Sequence, residues 1–273
     1  MFCDAHNHFQ DPLFDDLQRG ALLSELVKMG LQYMVVNGTA PDDWRDVELL
    51  AVAFPEVIVP SFGLHPWKVQ AVEDGWFEKL EVFVESAKGP VGMGEIGLDR
   101  WIENPDIEKQ EDAFRRQLAL ATERDLPVMI HCLRAWGPLM EILREVELPR
   151  RGFLIHSVGA SPELVVELAE MGGYFSASGP FANPRKTKYQ EALKAVPIDR
   201  LLIETDAPGM LPPPSHKVAF LEDPKTGKEL CHPANLLATY IYVREFFGLS
   251  EEEVLTQVFD NFERFFLRDS VGA

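Results

Sequence analysis

Asp4-Ala5-His6-Asn7-His8 follows the three residues Met1-Phe2-Cys3, and this stretch decides how the rest of the chain is read. Alternate side chains of an extended strand share a face, so His6 and His8 present two imidazoles together, with Asp4 on the same side two residues earlier. A lone histidine on a strand is usually a satisfied polar residue, but a His-x-His at the end of a first strand makes a bidentate metal site. Further out along the chain, other metal-ligating side chains fall at or just past the end of separate apolar runs. Glu95 lies in Gly94-Glu95-Ile96-Gly97, and His131 follows Val128-Met129-Ile130. His156 follows Phe153-Leu154-Ile155, and Asp206 follows Leu201-Leu202-Ile203-Glu204-Thr205. Parallel strands ending on one rim of a barrel are where such groups converge.

The apolar runs predict strands over 2–6, 33–37, 57–63, 91–96, 127–131, 153–156, 174–178 and 201–205, the number that a closed (β/α)8 barrel requires. Helical spacing appears between them, over 15–29 and 107–124, and in a helix opened by Ser161 at the N-cap and Pro162 at N1. Two closing helices are expected over 233–247 and 250–266, the second behind the capping box Ser250-Glu251-Glu252-Glu253. Only 207–232, with Pro208, Pro212, Pro213, Pro214 and Pro224, is irregular, and a long loop on that rim favours a functional role. The fold class is therefore α/β, a TIM (β/α)8 barrel forming a single domain over 1–273. A doubly wound open sheet is the rival, but it would gather ligands from few strands at one switch point.

Composition narrows the function. Lys and Arg total 26 against 44 Asp and Glu, a net charge of −18, which opposes an extended surface for coating duplex nucleic acid. It leaves room for a nuclease whose attraction is local, because two divalent cations would make a pocket with two ligand carboxylates net positive. Three cysteines, Cys3, Cys132 and Cys231, argue against a disulfide framework and suit a reducing compartment. No apolar stretch reaches membrane-spanning length and no signal sequence is seen, so a cytoplasmic location is the expectation.

Each candidate also has a plainer reading. Alone, Glu95 would be a rim salt bridge, although its two oxygens can bridge two cations. His131 and His156 could be core histidines, and Asp206 could form an Asx-turn before Pro208. Together with His6 and His8 they make six N/O ligands, suited to one or two Zn²⁺, Mn²⁺ or Mg²⁺ ions. Asp206 could both bind metal and take the proton from an attacking water. His65, in Gly63-Leu64-His65-Pro66-Trp67, could orient substrate or stabilise charge, or be structural. Cys132 faces away from His131 and is read as packing.

The motifs Asp4-Ala5-His6-Asn7-His8, Gly63-Leu64-His65-Pro66, Gly94-Glu95-Ile96-Gly97-Leu98-Asp99, Ile130-His131-Cys132, His156-Ser157, Tyr174-Phe175-Ser176-Ala177-Ser178-Gly179 and Glu204-Thr205-Asp206-Ala207-Pro208 occur in this order along nearly the whole chain. In this the chain resembles the TatD family of metal-dependent hydrolases within the amidohydrolase-like superfamily. The resemblance implies a TIM barrel with one to three divalent ions. It implies His6, His8, Glu95 and Asp206 around one metal, and Glu95, His131 and His156 around another. Activities implied are 3′-5′ DNase action and, for some relatives, D-aminoacyl-tRNA deacylation. Two departures concern substrate choice. Arg134 in His131-Cys132-Leu133-Arg134-Ala135 is displaced by one from the family pattern, and the Pro-rich loop ends in Cys231-His232-Pro233-Ala234-Asn235 where relatives carry Asn-Glu-Pro.

The reaction expected is hydrolysis by a metal-activated water, with Asp206, His65 and Glu95 as catalytic residues and Arg134 beside developing charge. Partners expected are a single-stranded DNA end or a small phosphoester or carbonyl substrate, no membrane, and a monomer. The rival within enzymes is amide, ester or lactone hydrolysis of a small molecule. A binding module without turnover is a third reading, against which the intact ligand set argues.

Overall fold

Strand residues of this chain alternate between two apolar clusters, and that alternation builds the barrel. The computed structural model describes residues 1–14 and 16–267, and the side chains of 16–18 are outside that description. Asp15, the first residue of the expected first helix, and the end of the expected domain, 268–273, lie outside the described residues. The strands are β1 (Phe2–Asn7), β2 (Leu31–Asn37), β3 (Ile58–Phe62), β4 (Gly92–Asp99), β5 (Val128–Leu133), β6 (Phe153–Ile155), β7 (Gly173–Ala177) and β8 (Leu201–Ile203). They pair in parallel in sequence order as one eight-stranded sheet. The large cluster takes Val36, Ile58, Phe62, Ile130, Phe153, Ile155 and Ile203 together with helix residues such as Leu118, Leu139 and Val165. The smaller takes Val35, Val59, Met129, Leu154 and Leu202, one residue out of phase. With a period of two, the first set faces the helices and the second the barrel interior.

The seam between β8 and β1 is closed by specific bonds just above the strand ends. Asp206 N–H donates to the His6 carbonyl at 2.9 Å and His8 N–H to the Ala207 carbonyl at 2.8 Å. The buried Asp4 carboxylate accepts from Thr205 N–H at 3.0 Å and from the Thr205 hydroxyl at 2.6 Å. The expected strands 153–156 and 201–205 end early, at Ile155 and Ile203, so His156 and Asp206 stand just past the sheet.

Nine α-helices lie among the described residues: α1 (Asp16–Lys28), α2 (Trp44–Ala53), α3 (Trp76–Ser86), α4 (Ile107–Arg124), α5 (Trp136–Glu145), α6 (Pro162–Glu170), α7 (Thr187–Ala195), α8 (Leu236–Phe247) and α9 (Glu251–Phe262). Ser161 caps α6 with Pro162 at its first turn, and the Ser250–Glu253 capping box opens α9, as the sequence predicts. A π-helical turn, Glu263–Leu267, completes the stretch expected as one helix to 266. Phe262, Phe265 and Phe266 from this end join the interior cluster, where Phe265 lies 4.6 Å from the Tyr174 ring and Phe262 lies 5.7 Å from Tyr33. Tyr33 and Tyr174 sit near the starts of their strands, so these phenylalanines plug the mouth opposite the ligand-bearing rim.

The Pro-rich segment is more ordered than its composition suggests, forming a small antiparallel hairpin of β9 (Phe220–Glu222) and β10 (Glu229–Cys231). Cys231 N–H donates to the Pro208 carbonyl, and Asn235 Oδ1 accepts from Val218 and Ala219, which ties the loop to the rim. No helix of the described residues is long and apolar enough to cross a membrane.

Candidate metal centre

On β5, β6 and β8 the polar site continues the apolar interior layer. Two residues along from Met129, on the same face, is His131; from Leu154, His156; from Leu202, Glu204 and then Asp206. Burial of the lower layer makes the strands, and the next layer carries the chemistry. Glu95 enters between strands packed too closely for larger residues on either side of it. A Cβ on Gly94 would meet Met129 Cβ at 2.7 Å, and one on Gly97, whose φ is +145°, would meet the His131 carbonyl oxygen at 2.0 Å.

Glu95 is the centre of the arrangement, and its two oxygens face different histidines. Oε2 lies 3.3 Å from His6 Nε2 and 3.2 Å from His8 Nε2, and the same nitrogens lie 3.6 and 3.4 Å from Asp206 Oδ1. Oε1 lies 3.0 Å from His131 Nδ1, 3.0 Å from His156 Nε2 and 3.4 Å from His65 Nε2. All six residues expected as ligands, and His65, are thus brought to one place. His65 sits with the His131 and His156 group.

Electrostatics follow from crowding imidazoles and carboxylates in a buried rim. Burial alone would raise the pKa of Glu95, but His65, His156 and His6 around it hold the carboxyl well below its ordinary range. Burial likewise works against charge on His8, yet its bonds to Asp206 and Glu95 carry it well above its ordinary value. His156 is raised in the same way by Glu95 and Glu204. In His65 burial prevails, and its pKa is lowered to about 4.

Two carboxylates that the sequence did not single out orient the second group. His131 Nε2 lies 2.9 Å from Asp99 Oδ2, which also accepts from Trp67 Nε1–H at 2.7 Å. His156 Nδ1 lies 3.5 Å from Glu204 Oε1, and Glu204 is held in turn by the Ser176 hydroxyl. Their signal in the sequence was position alone: Asp99 follows Glu95 by four residues and Glu204 precedes Asp206 by two.

These partners set which ring nitrogens are free. In the neutral ring that a metal ligand must be, one nitrogen alone carries hydrogen. A carbonyl only accepts, so with His8 Nδ1 2.9 Å from the Asn37 carbonyl the hydrogen belongs there and the Nε2 lone pair faces inward. The proton of His131 belongs on Nε2 facing Asp99, which leaves Nδ1 toward Glu95. In His156, Nδ1 faces Glu204 Oε1 at 3.5 Å without a close hydrogen bond, and Nε2 faces inward. His65 is the reverse: its Nδ1 accepts from Trp67 N–H at 3.1 Å, so its inward Nε2 bears hydrogen and is a donor, not a ligand lone pair.

Divalent cations fit this set. Both ring nitrogens of His6 are buried without a hydrogen-bond partner, and a cation would satisfy Nε2, the one that faces Glu95 and Asp206. A tetrahedral ion with bonds of about 2.1 Å holds its ligands about 3.4 Å apart, and His6, His8, Glu95 and Asp206 already stand 3.2–3.6 Å from one another across their N···O pairs. Glu95 would offer one oxygen to each of two ions, and Asp99 and Glu204 stand behind His131 and His156 as outer carboxylates do behind metal-ligating imidazoles.

Arg134 lies apart from this cluster, with its guanidinium 4.0 Å above the Trp101 ring. Cys132 is partly buried and packs against the large cluster, in keeping with its reading as packing.

Comparison with known proteins agrees with this geometry. The model of the family described as TatD related DNase matches residues 3–267. The uncharacterized metal-dependent hydrolase YjjV of Escherichia coli K12 is 31% identical over 210 residues, covering 77% of this chain and 80% of the relative. The 3′-5′ ssDNA/RNA exonuclease TatD of Erwinia tasmaniensis is 32% identical over 207 residues, covering 73% and 79%. The crystal structure of E. coli YjjV superposes with a TM-score of 0.85 at 26% identity, covering 97% of each chain. A match running through nearly every element, on a barrel whose rim gathers these histidines and carboxylates, makes this chain a metal-dependent hydrolase of the TatD related DNase family.

Proposed function

We propose that the chain is a phosphodiesterase that cleaves the end of a single-stranded nucleic acid, a deoxyribonuclease of 3′-5′ exonuclease character. The observation that carries this is Glu95, whose two oxygens face different histidines, His6 and His8 on one and His131 and His156 on the other, an arrangement that suits a two-cation centre for in-line displacement at phosphorus. His6, His8, Glu95 and Asp206 would hold one ion, and Glu95, His131 and His156 the second. When bound, Zn²⁺, Mn²⁺ or Mg²⁺ would acidify a water from 15.7 toward about 7 and polarise the phosphoryl oxygen.

The chain's own residues supply the rest. Asp206 is the proton acceptor: its side chain is 15% exposed against 3% for Glu95, so solvent reaches it from the open rim. His65 donates Nε2–H toward charge that develops beside the second group. Asp99 and Glu204 keep His131 and His156 in the ligating tautomer. That a relative of similar length is named a 3′-5′ ssDNA/RNA exonuclease supports this choice of substrate.

Thorough chelation should abolish hydrolysis of a labelled single-stranded oligonucleotide, and added Mn²⁺, Zn²⁺ or Mg²⁺ should restore it. Turnover that survives chelation defeats the proposal. A second reading, carbonyl hydrolysis of a small molecule, draws on the net charge of −18, which disfavours a polyanion. A panel of esters, lactones and amides assayed beside the oligonucleotide separates the two.

A further inference from the structure

Two large aromatic side chains beside this centre face water. Trp67 and Trp101 are each 59% exposed, although the barrel has ample apolar surface to cover them. Both are tied to the metal-ligand set through one carboxylate. Trp67 donates its indole N–H to Asp99 Oδ2, and Trp101 donates its backbone N–H to Asp99 Oδ1 at 2.6 Å. Asp99 in turn receives His131. The Trp67 ring lies 4.9 Å from that of His65 and 6.1 Å from that of His131. Arg134 covers part of the Trp101 ring, its guanidinium 4.0 Å from the centroid, and puts a cation at the same spot.

We propose that Trp67 and Trp101, with Arg134 alongside, form a stacking platform for the nucleobase next to the scissile phosphodiester of a single strand. This rests on the nuclease reading and adds how the substrate is held. Indole faces stack on any base, and the guanidinium answers the adjoining phosphate. A chain with a net charge of −18 has few cations to follow a phosphate backbone, so uncharged stacking supplies the grip. Bases in a duplex have both faces covered by their neighbours, and the platform therefore selects unpaired ends.

Trp101 is the residue to test, because Trp67 also anchors Asp99 by its indole whereas Trp101 does so by its backbone. The metal-loaded protein is titrated, by fluorescence anisotropy, with single-stranded oligonucleotides whose 3′-terminal linkages are phosphorothioates. One strand carries its bases and the other is abasic at the last two 3′ positions. The base-bearing strand should bind about 10-fold tighter, about 1.4 kcal/mol, in the range of one stacked base. Trp101→Ala should bring that ratio near one, and Trp101→Phe should keep most of it. Equal binding of the two strands by the unmodified protein, or an undiminished ratio in Trp101→Ala, overturns the platform. If the metal-loaded protein hydrolyses unmodified oligonucleotide while binding both strands equally, the platform alone is lost. If it hydrolyses none, the nuclease reading falls with it.

Discussion

Replacing Asp99 by Asn tests whether the second ligand group is set by its outer carboxylate. Asp99 is surrounded by donors only: Trp101 N–H on Oδ1, and Trp67 Nε1–H and His131 Nε2–H on Oδ2. A carboxylate satisfies all three. An amide has one acceptor oxygen and two donor hydrogens, so in Asp99→Asn at least one of these donors meets an N–H. Trp101 offers a backbone N–H that cannot turn away, which holds the amide oxygen at the Oδ1 position and sets the NH2 against Trp67 and His131. The exposed Trp67 indole can turn to water, and His131 is the group left to rotate or to move its proton to Nδ1, the nitrogen it aims at Glu95. Asp99 is also a strong acceptor, held down to about 2 although burial opposes its charge, chiefly by its bond to His131. Loss of one such charge-assisted bond costs about 1.5–3 kcal/mol, which is about 10- to 150-fold in a binding constant. The expected result is a metal titration by isothermal calorimetry in which one of two sites weakens by about 10- to 100-fold and the other is unchanged. The fold, followed by circular dichroism, should be intact. Two sites of unmoved affinity in Asp99→Asn would refute the argument that Asp99 holds the ligating tautomer.

Other outcomes follow from the barrel itself. Phe265→Ala opens the interior plug under Tyr174 and should lower unfolding free energy by about 3–5 kcal/mol in urea titration, with no change in the denaturant slope. Thr205→Val removes the hydroxyl donor from the buried Asp4 carboxylate at the seam and should cost about 1.5–3 kcal/mol, read from the same titration. The Cys3 and Cys231 thiols are buried and pushed up to about 12, so at pH 8 only about one in 10⁴ is thiolate. Iodoacetamide at pH 8 should leave both unlabelled in the folded protein and label both in urea, as read by mass spectrometry.

Much of the site was legible because of two local regularities. Apolar runs of strand length marked the strands, and ligands at the ends of five of the eight marked the rim, since residues two apart on a strand share a face. Four helices, α2, α3, α5 and α7, were not picked out: each is 9–11 residues long and none has a side-chain cap bond to mark its start. The hairpin at Phe220–Cys231 hid in a Pro-rich segment because its order comes from bonds to Pro208 and Asn235, far from it in pattern though near in space.

By itself the sequence pointed to the parallel barrel and the set of His6, His8, Glu95, His131, His156 and Asp206, because strand periodicity and burial act locally; the family came from the likeness of its ordered motifs. Tertiary structure decided which oxygen of Glu95 each of those histidines faces. It also decided that His65 enters as a donor rather than a lone pair, and that Asp99 and Glu204 stand out from 44 acidic residues as the groups behind His131 and His156. The physical reason is that a ring nitrogen's role is fixed by the partner of the other nitrogen, and that partner comes from a neighbouring strand or loop.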